Sequence, residues 1–279
     1  MRAYRVAYDG RPYHGFQRQP DVPTVENAVF DALRELGVLA PDAAKPEGYA
    51  AAGRTDAGVS ARAQTVAFEA PDWLTPRALN GALPADVRAW ASAAVPPAFH
   101  ATHDATAREY VYHLYAPRRP TPGRDAFDDG RARGALARLS GEHDFHNLTP
   151  DESGTVRDLT VEAERDGAFL VVTLRAGGFA RQLARRVVGL VTAVGRGEAD
   201  PARVDRLLGA EPVSGPEGVG PAPAEALVLW DVRYPDVAFA VDEEAAASAR
   251  AVWARRYASR SAGTRVARSL RDGTGERDR

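Results

Sequence analysis

Residues 160–174 read TVEAERDGAFLVVTL. Two strand-like runs flank Asp166-Gly167, and Asp-Gly is a dipeptide suited to a two-residue hairpin turn. A hairpin here means antiparallel pairing, and that reading organises the segments around it. Residues 108–115 (REYVYHLY) alternate strongly and predict a strand. Residues 226–234 (ALVLWDVRY) predict a final one. Towards the N-terminus, Tyr4, Val6 and Tyr8 share one face of a strand over 3–8, and Gln64, Val66 and Phe68 suggest another. Residues 86–95 supply a further candidate strand.

Helical spacing is clearest at Val25, Ala28, Val29, Ala32, Leu33 and Leu36. Thr24 stands where an N-cap belongs and Gly37 where a C′ glycine belongs. Short helices are predicted over 74–84 and 131–140, and Asp200-Pro201 opens another. Residues 179–195 carry Phe179, Leu183, Val187, Leu190, Val191 and Val194 at helical spacing. Strands and helices mix without a regular βαβα rhythm, which predicts an α+β fold with mainly antiparallel sheets. A boundary near residue 104 divides 1–104 from 105–236, and residues 237–279 predict a mobile, basic tail.

The chain has 279 residues, of which 44% are hydrophobic and 27% charged. That composition is ordinary for a globular protein with a real core. It contains no cysteine, which excludes disulfides, thiolate metal sites and cysteine nucleophiles. The first residues, MRAYRVAYDG, hold no apolar stretch, and no apolar run approaches the roughly 18 residues of a membrane span. The expectation is a cytoplasmic protein without a signal peptide or membrane segment. Lys and Arg total 36 against 38 Asp and Glu, a net charge of −2. Only Lys45 is lysine, so 35 of the 36 are arginine. Seven arginines and no acid lie between Ala245 and Arg271, so this segment is +7 and the remainder −9. Such a segment is either a nucleic-acid contact or a solvated extension.

Three segments carry candidate chemistry. In Gly53-Arg54-Thr55-Asp56-Ala57-Gly58 two glycines flank a carboxylate, with an arginine two residues before it. In an extended segment Arg54 and Asp56 share a face. The string reads either as a tight turn with a surface ion pair or as a carboxylate held in a cleft by arginine. On the strand that follows Ala105-Thr106-Ala107, Arg108, Tyr110 and Tyr112 line one face. Paired tyrosines are commonly core, though a tyrosine ring also serves as a platform for a flipped base. The third segment, Gly177 to Arg186 (GGFARQLARR), opens a helix bearing Arg181, Arg185 and Arg186. The helix reads either as amphipathic with a solvated basic face or as one that turns an arginine inward to a catalytic carboxylate, and Arg185, between Leu183 and Val187, lies at the edge of the apolar stripe. His100 and His103, and His143 and His146 beside Glu142, have a spacing seen in metal sites. No third ligand group is evident, and they read as surface or loop histidines. A non-catalytic RNA-binding module also fits antiparallel sheets with exposed aromatics. It leaves the carboxylate between glycines without a role, and the RNP-type aromatic sequence is absent.

The sequence resembles the TruA family of tRNA pseudouridine synthases. The resemblance rests on Tyr8-Asp9-Gly10 followed by GFQRQ at 15–19, GRTDAGVSA at 53–61, FHA at 99–101 and ATAREYVY at 105–112. It continues through GEHDF at 141–145, FARQLARRVVG at 179–189 and APAEALVLWDVRYPD at 222–236. Ser60, Phe16, Thr102 and Ala226 depart from the residues common in the family. The resemblance implies a pseudouridine synthase fold, with two mainly antiparallel-sheet subdomains, helices packed on them and a central cleft. It implies that Asp56 is the catalytic aspartate, that Tyr112 lies against the target uracil, and that Arg185 pairs with the aspartate. Arg54 is then close to the site, in RNA binding or in holding the nucleotide flipped out. Members isomerise uridines 38 to 40 of the tRNA anticodon stem-loop without metal or cofactor, as homodimers with one tRNA spanning both subunits. The N1–C1′ bond breaks, the uracil turns, and it rejoins through C5. Three routes stay open at this level: a carboxylate acting at C1′, its addition to C6, and abstraction of a sugar proton.

Overall fold

The computed structural model describes residues 1–120, 125–213, 215 and 218–274. The N-terminal half supplies β1 (Arg2–Tyr8), β2 (Ala50–Ala51), β3 (Ser60–Phe68) and β4 (Val87–Ala94), with helices α1 (Val25–Glu35) and α2 (Pro76–Ala82). The second half supplies β5 (Ala107–Tyr115), β6 (Gly141–Asp144), β7 (Val156–Asp166), β8 (Phe169–Ala176) and β9 (Leu227–Arg233). Its helices are α3 (Asp129–Leu139), α4 (Leu183–Gly195) and α5 (Ala202–Leu208). The chain then adds the short β10 (Ala240–Val241) and a long α6 (Glu243–Gly273).

All these strands join one sheet, in the order β10-β4-β1-β3-β9-β5-β8-β7-β6, with β2 beside β3. The α+β reading with mainly antiparallel pairing holds: among the described strands, only β3 and β9 run parallel. They pair over just Ser60↔Val228 and Ala61↔Leu229. This short seam lies between two antiparallel half-sheets, β4-β1-β3 and β9-β5-β8-β7. The last long strand is thus inserted at the centre of the sheet. The loop that carries Asp56 leads into β3, on one side of the seam, and Tyr110 lies on β5, on the other.

Local chemistry explains the element boundaries. Thr24 caps α1 by accepting from the Asn27 N–H at 3.2 Å, and Gly37 follows the helix with φ +70°. At the β7–β8 hairpin, Asp166 pairs directly with Phe169, so the two loop residues are Gly167 and Ala168. The turn is shifted one residue from the Asp166-Gly167 reading, because the glycine, at φ +53°, takes the first loop position. Helix α4 begins at Leu183 rather than near Phe179, because Gln182 adopts a left-handed conformation at φ +61° just before it.

Within the predicted mobile tail, residues 243–273 instead form one continuous helix, and residues 275–279 lie outside the described residues. Asp242 caps it by accepting from the Ala245 N–H at 3.0 Å, and Glu243 and Glu244 complement the positive end of the helix dipole. Ala245, Ala246, Ala249 and Val252 are buried in this first part of α6, which packs against β4 and α2. The buried stripe is mostly alanine, so the hydrophobic periodicity is faint although alanine and arginine are strong helix formers.

Candidate active site

Asp56 sits in a turn between β2 and β3. The Val59 N–H donates to the Asp56 carbonyl at 3.1 Å, and Gly58, the third residue of that turn, has φ +83°. A turn with positive φ at its third residue favours glycine there, which accounts for the Asp-Ala-Gly string. A second loop runs alongside. The Phe16 N–H donates to the Thr55 carbonyl at 3.0 Å, and the Tyr8 and Thr55 hydroxyls are 2.8 Å apart. Gly15 lies at φ +100°, and a β-carbon there would come within 2.9 Å of the Thr55 carbonyl oxygen. The two loops therefore touch backbone to backbone.

Across the seam, α4 turns Arg185 inward. Its Nη1 donates to Asp56 Oδ2 at 2.9 Å and its Nε to the Ala222 carbonyl at 2.8 Å. The guanidinium fork thereby spans two partners and fixes the carboxylate's direction. Arg185 is mostly buried, while Asp56 remains a third exposed, open to a cavity of about 1530 Å³. Tyr110, Phe179, Arg54, Arg181 and Gln182 also line this cavity. Phe179 meets the Tyr110 ring edge-on, with centroids 4.9 Å apart. Arg181 is tied to Asp151 through its backbone N–H at 2.7 Å and its side chain at 3.3 Å.

The structure brings Asp56, Arg185 and Arg54 to one cavity, but it separates the two tyrosines. Tyr110, not Tyr112, forms the cavity wall. Both point to the same side of β5. Tyr112 lies one pleat further along, is 2% exposed, and donates its hydroxyl to the Pro223 carbonyl at 3.0 Å. Tyr112, for which the resemblance implies a contact with the target uracil, is thus turned to Pro223, and Tyr110 is the tyrosine that lines the cavity beside Asp56. Burial pushes the Tyr110 phenol up to about 12, with Arg108 opposing and Asp56 reinforcing the shift. It is accordingly a neutral phenol near neutral pH. Arg54 is exposed on the cavity wall, and its reading as the carboxylate's ion-pair partner does not hold, because Arg185 takes that place. The sequence passes over Phe179, whose position looks like the start of α4 and is instead the irregular segment that reaches Tyr110. The His100 and His103 rings lie beside the same cavity, tilted by 34° with centroids 4.2 Å apart. Among the described residues, no three His, Cys, Asp or Glu side chains converge as a metal site.

A family model described as tRNA pseudouridine synthase matches residues 135–235. The tRNA pseudouridine synthase A of Haloarcula marismortui is 61% identical over 274 residues, covering 98% of this chain and all of the relative. The chain belongs to the tRNA pseudouridine synthase family. The enzyme of the same name from Natronomonas pharaonis is likewise 61% identical, over 97% of this chain and 98% of its own. That of Methanothrix thermoacetophila is 38% identical over 86% and 85%. A chain from a solved Cbf5-Nop10-Gar1 complex matches at 16% identity and a TM-score of 0.34, over 68% of this chain and 45% of that one. As a pseudouridine synthase the protein is an isomerase with the pseudouridine synthase fold. No helix among its described residues is long and apolar enough to cross a membrane.

Proposed function

We propose that the protein converts uridine to pseudouridine at positions 38–40 of the tRNA anticodon stem-loop, with Asp56 as the catalytic carboxylate. One observation carries this reading: Asp56 is held by Arg185 at the wall of a cavity of about 1530 Å³ that also presents an aromatic ring. All three routes considered for the reaction share a requirement for an oriented carboxylate against the target nucleotide. The uridine must leave its stack to reach it, at a cost of a few kcal/mol that contacts to the RNA backbone offset. Arg54, exposed beside Asp56, is suited to hold the everted nucleotide or its phosphate. Tyr110 offers its ring to the uracil and a neutral hydroxyl for hydrogen bonding. Its raised pKa of about 12 makes it a poor proton acceptor near neutrality. We further propose that the protein acts in the cytoplasm as a homodimer.

The direct test is site-resolved pseudouridine mapping of anticodon arms from cells lacking the gene, with and without its restoration. Loss and recovery at one or more of positions 38–40 is expected. Unchanged modification there, with loss elsewhere in tRNA, would overturn the positional assignment. The two tyrosines give a second test. Tyr110→Phe is expected to lower kcat about tenfold. Tyr112→Phe loses its bond to Pro223 and is expected to cost about 1 kcal/mol of stability, with kcat within about threefold of the parent. Steady-state kinetics beside thermal melts would check both, and the reverse ranking of kcat would return the role to Tyr112.

A further inference from the structure

Asp9 follows β1, far in sequence from the family's catalytic turn, and is buried to 4% exposure. Its carboxylate is surrounded by guanidinium groups. Arg256 Nη1 donates to Oδ2 at 2.6 Å, Arg260 Nη2 to the same oxygen at 2.5 Å, and Arg11 Nε to Oδ1 at 2.9 Å. Arg256 and Arg260 belong to α6, 247 and 251 residues further along the chain. A buried carboxylate is costly unless paired and fully hydrogen-bonded, so this arrangement ties the C-terminal helix firmly to one point of the N-terminal half.

That point leads directly to the turn of Asp56. Gly10 comes next, and a β-carbon built there would sit 1.9 Å from the Val59 carbonyl oxygen. Residue 10 therefore packs as bare backbone on backbone, with no side chain between to absorb a displacement. The Gly10 N–H donates to Ser60 Oγ at 3.1 Å, the Gly58 N–H to the Tyr13 carbonyl at 3.3 Å, and the Phe16 N–H to the Thr55 carbonyl at 3.0 Å. The loop over 10–16 thus runs along 55–60 and touches it on both sides of Asp56. A second grip reinforces the first: the Tyr13 hydroxyl donates to Asp86 at 3.0 Å, and Arg256 lies 3.8 Å from the other Asp86 oxygen.

We propose that Asp9 is a positioning residue, held by Arg256 and Arg260, through which helix α6 fixes the turn that carries Asp56. The proposal rests on Asp56 being the catalytic carboxylate. It gives two of the seven tail arginines a task inside the protein rather than on RNA. A shift of about 1 Å at a reacting group costs on the order of 10²-fold in rate, so a slackened loop should appear in turnover.

The test uses the full-length protein and the double variant Arg256→Ala/Arg260→Ala, with Asp9→Asn as a second route to the same break and Arg256→Lys/Arg260→Lys as the conservative control. We expect kcat to fall ten- to a hundredfold in the first two, with the Kd for an anticodon stem-loop RNA within about threefold of the parent. The lysine variant should recover at least a third of the parent kcat. Hydrogen exchange should quicken about tenfold at the Gly58 and Val59 amides. Unchanged kcat in the arginine double variant would overturn the proposal. So would a loss confined to RNA affinity, which would make these arginines substrate contacts. A loss that tracks a lowered melting temperature, with exchange at 58–59 no faster than elsewhere, would reduce the arrangement to general stability and also overturn it. The exchange measurement needs no turnover, so it separates failure of this coupling from failure of the catalytic assignment.

Discussion

Asp56→Asn is expected to lower pseudouridine formation in an anticodon stem-loop by at least about 10⁴-fold while leaving RNA affinity within a few-fold of the parent. Asparagine keeps the size of the side chain and the oxygen that faces Arg185, but loses the anion that each of the three routes needs. Removing a group that acts directly on the reacting atoms costs more than removing one that only orients it. The fold should tolerate the change. Asp56 is a third exposed and the turn is closed by backbone, through Val59 N–H and the Asp56 carbonyl, so the stability change should stay within about 1 kcal/mol. Tritium release from C5-labelled uridine, read beside RNA binding and a thermal melt, checks all three quantities. Turnover near the parent level in a folded variant would remove Asp56 from the reaction.

Arg185→Ala is expected to cost about 10³-fold in kcat, and Arg185→Lys about 10²-fold. The arginine bridges two fixed partners, Asp56 Oδ2 at 2.9 Å and the Ala222 carbonyl at 2.8 Å. A lysine ammonium brings the charge but not a planar fork that can reach both. Without the bridge the carboxylate loses its direction, while the segment at 222 keeps only its backbone bond to α4, from the Ala222 N–H to the Arg185 carbonyl at 2.9 Å. Truncating one member of a fully buried pair costs about 3–5 kcal/mol. With Asp56 open to the cavity, about 1–2 kcal/mol is expected here. A cycle with Asp56→Asn separates the contributions: once the anion is gone, Arg185→Ala should have little further effect on rate. Additive losses would mean that the arginine acts on substrate independently of Asp56.

Much of the site was legible in local sequence because local rules made it. The Asp-Ala-Gly string needs glycine where the turn demands positive φ, and Arg185 sits at the edge of an apolar helical stripe, which made an inward turn one of its two readings. The tyrosines were different. Tyr110 and Tyr112 share a face of β5, and alternation assigns them equally to the core or the cavity. The choice came from Pro223, which takes the Tyr112 hydroxyl, and from Phe179, which meets the Tyr110 ring. Both lie far away in sequence. Arg54 misled for a related reason: two residues on one face of an extended segment need not pair when a third charge arrives from another element.

The chain's own order of residues determined the antiparallel strands, most of the helices, the turn that presents Asp56 and the family to which all of these belong, because hydrophobic period, capping and turn chemistry act over a few residues at a time. Tertiary structure alone decided that the last long strand enters the middle of the sheet, that Tyr110 rather than Tyr112 faces the cavity, and that the alanine- and arginine-rich C-terminal segment is a helix gripping Asp9. Each of those outcomes depends on which distant surfaces meet, and burial and charge pairing between distant segments leave little trace in the spacing of neighbouring residues.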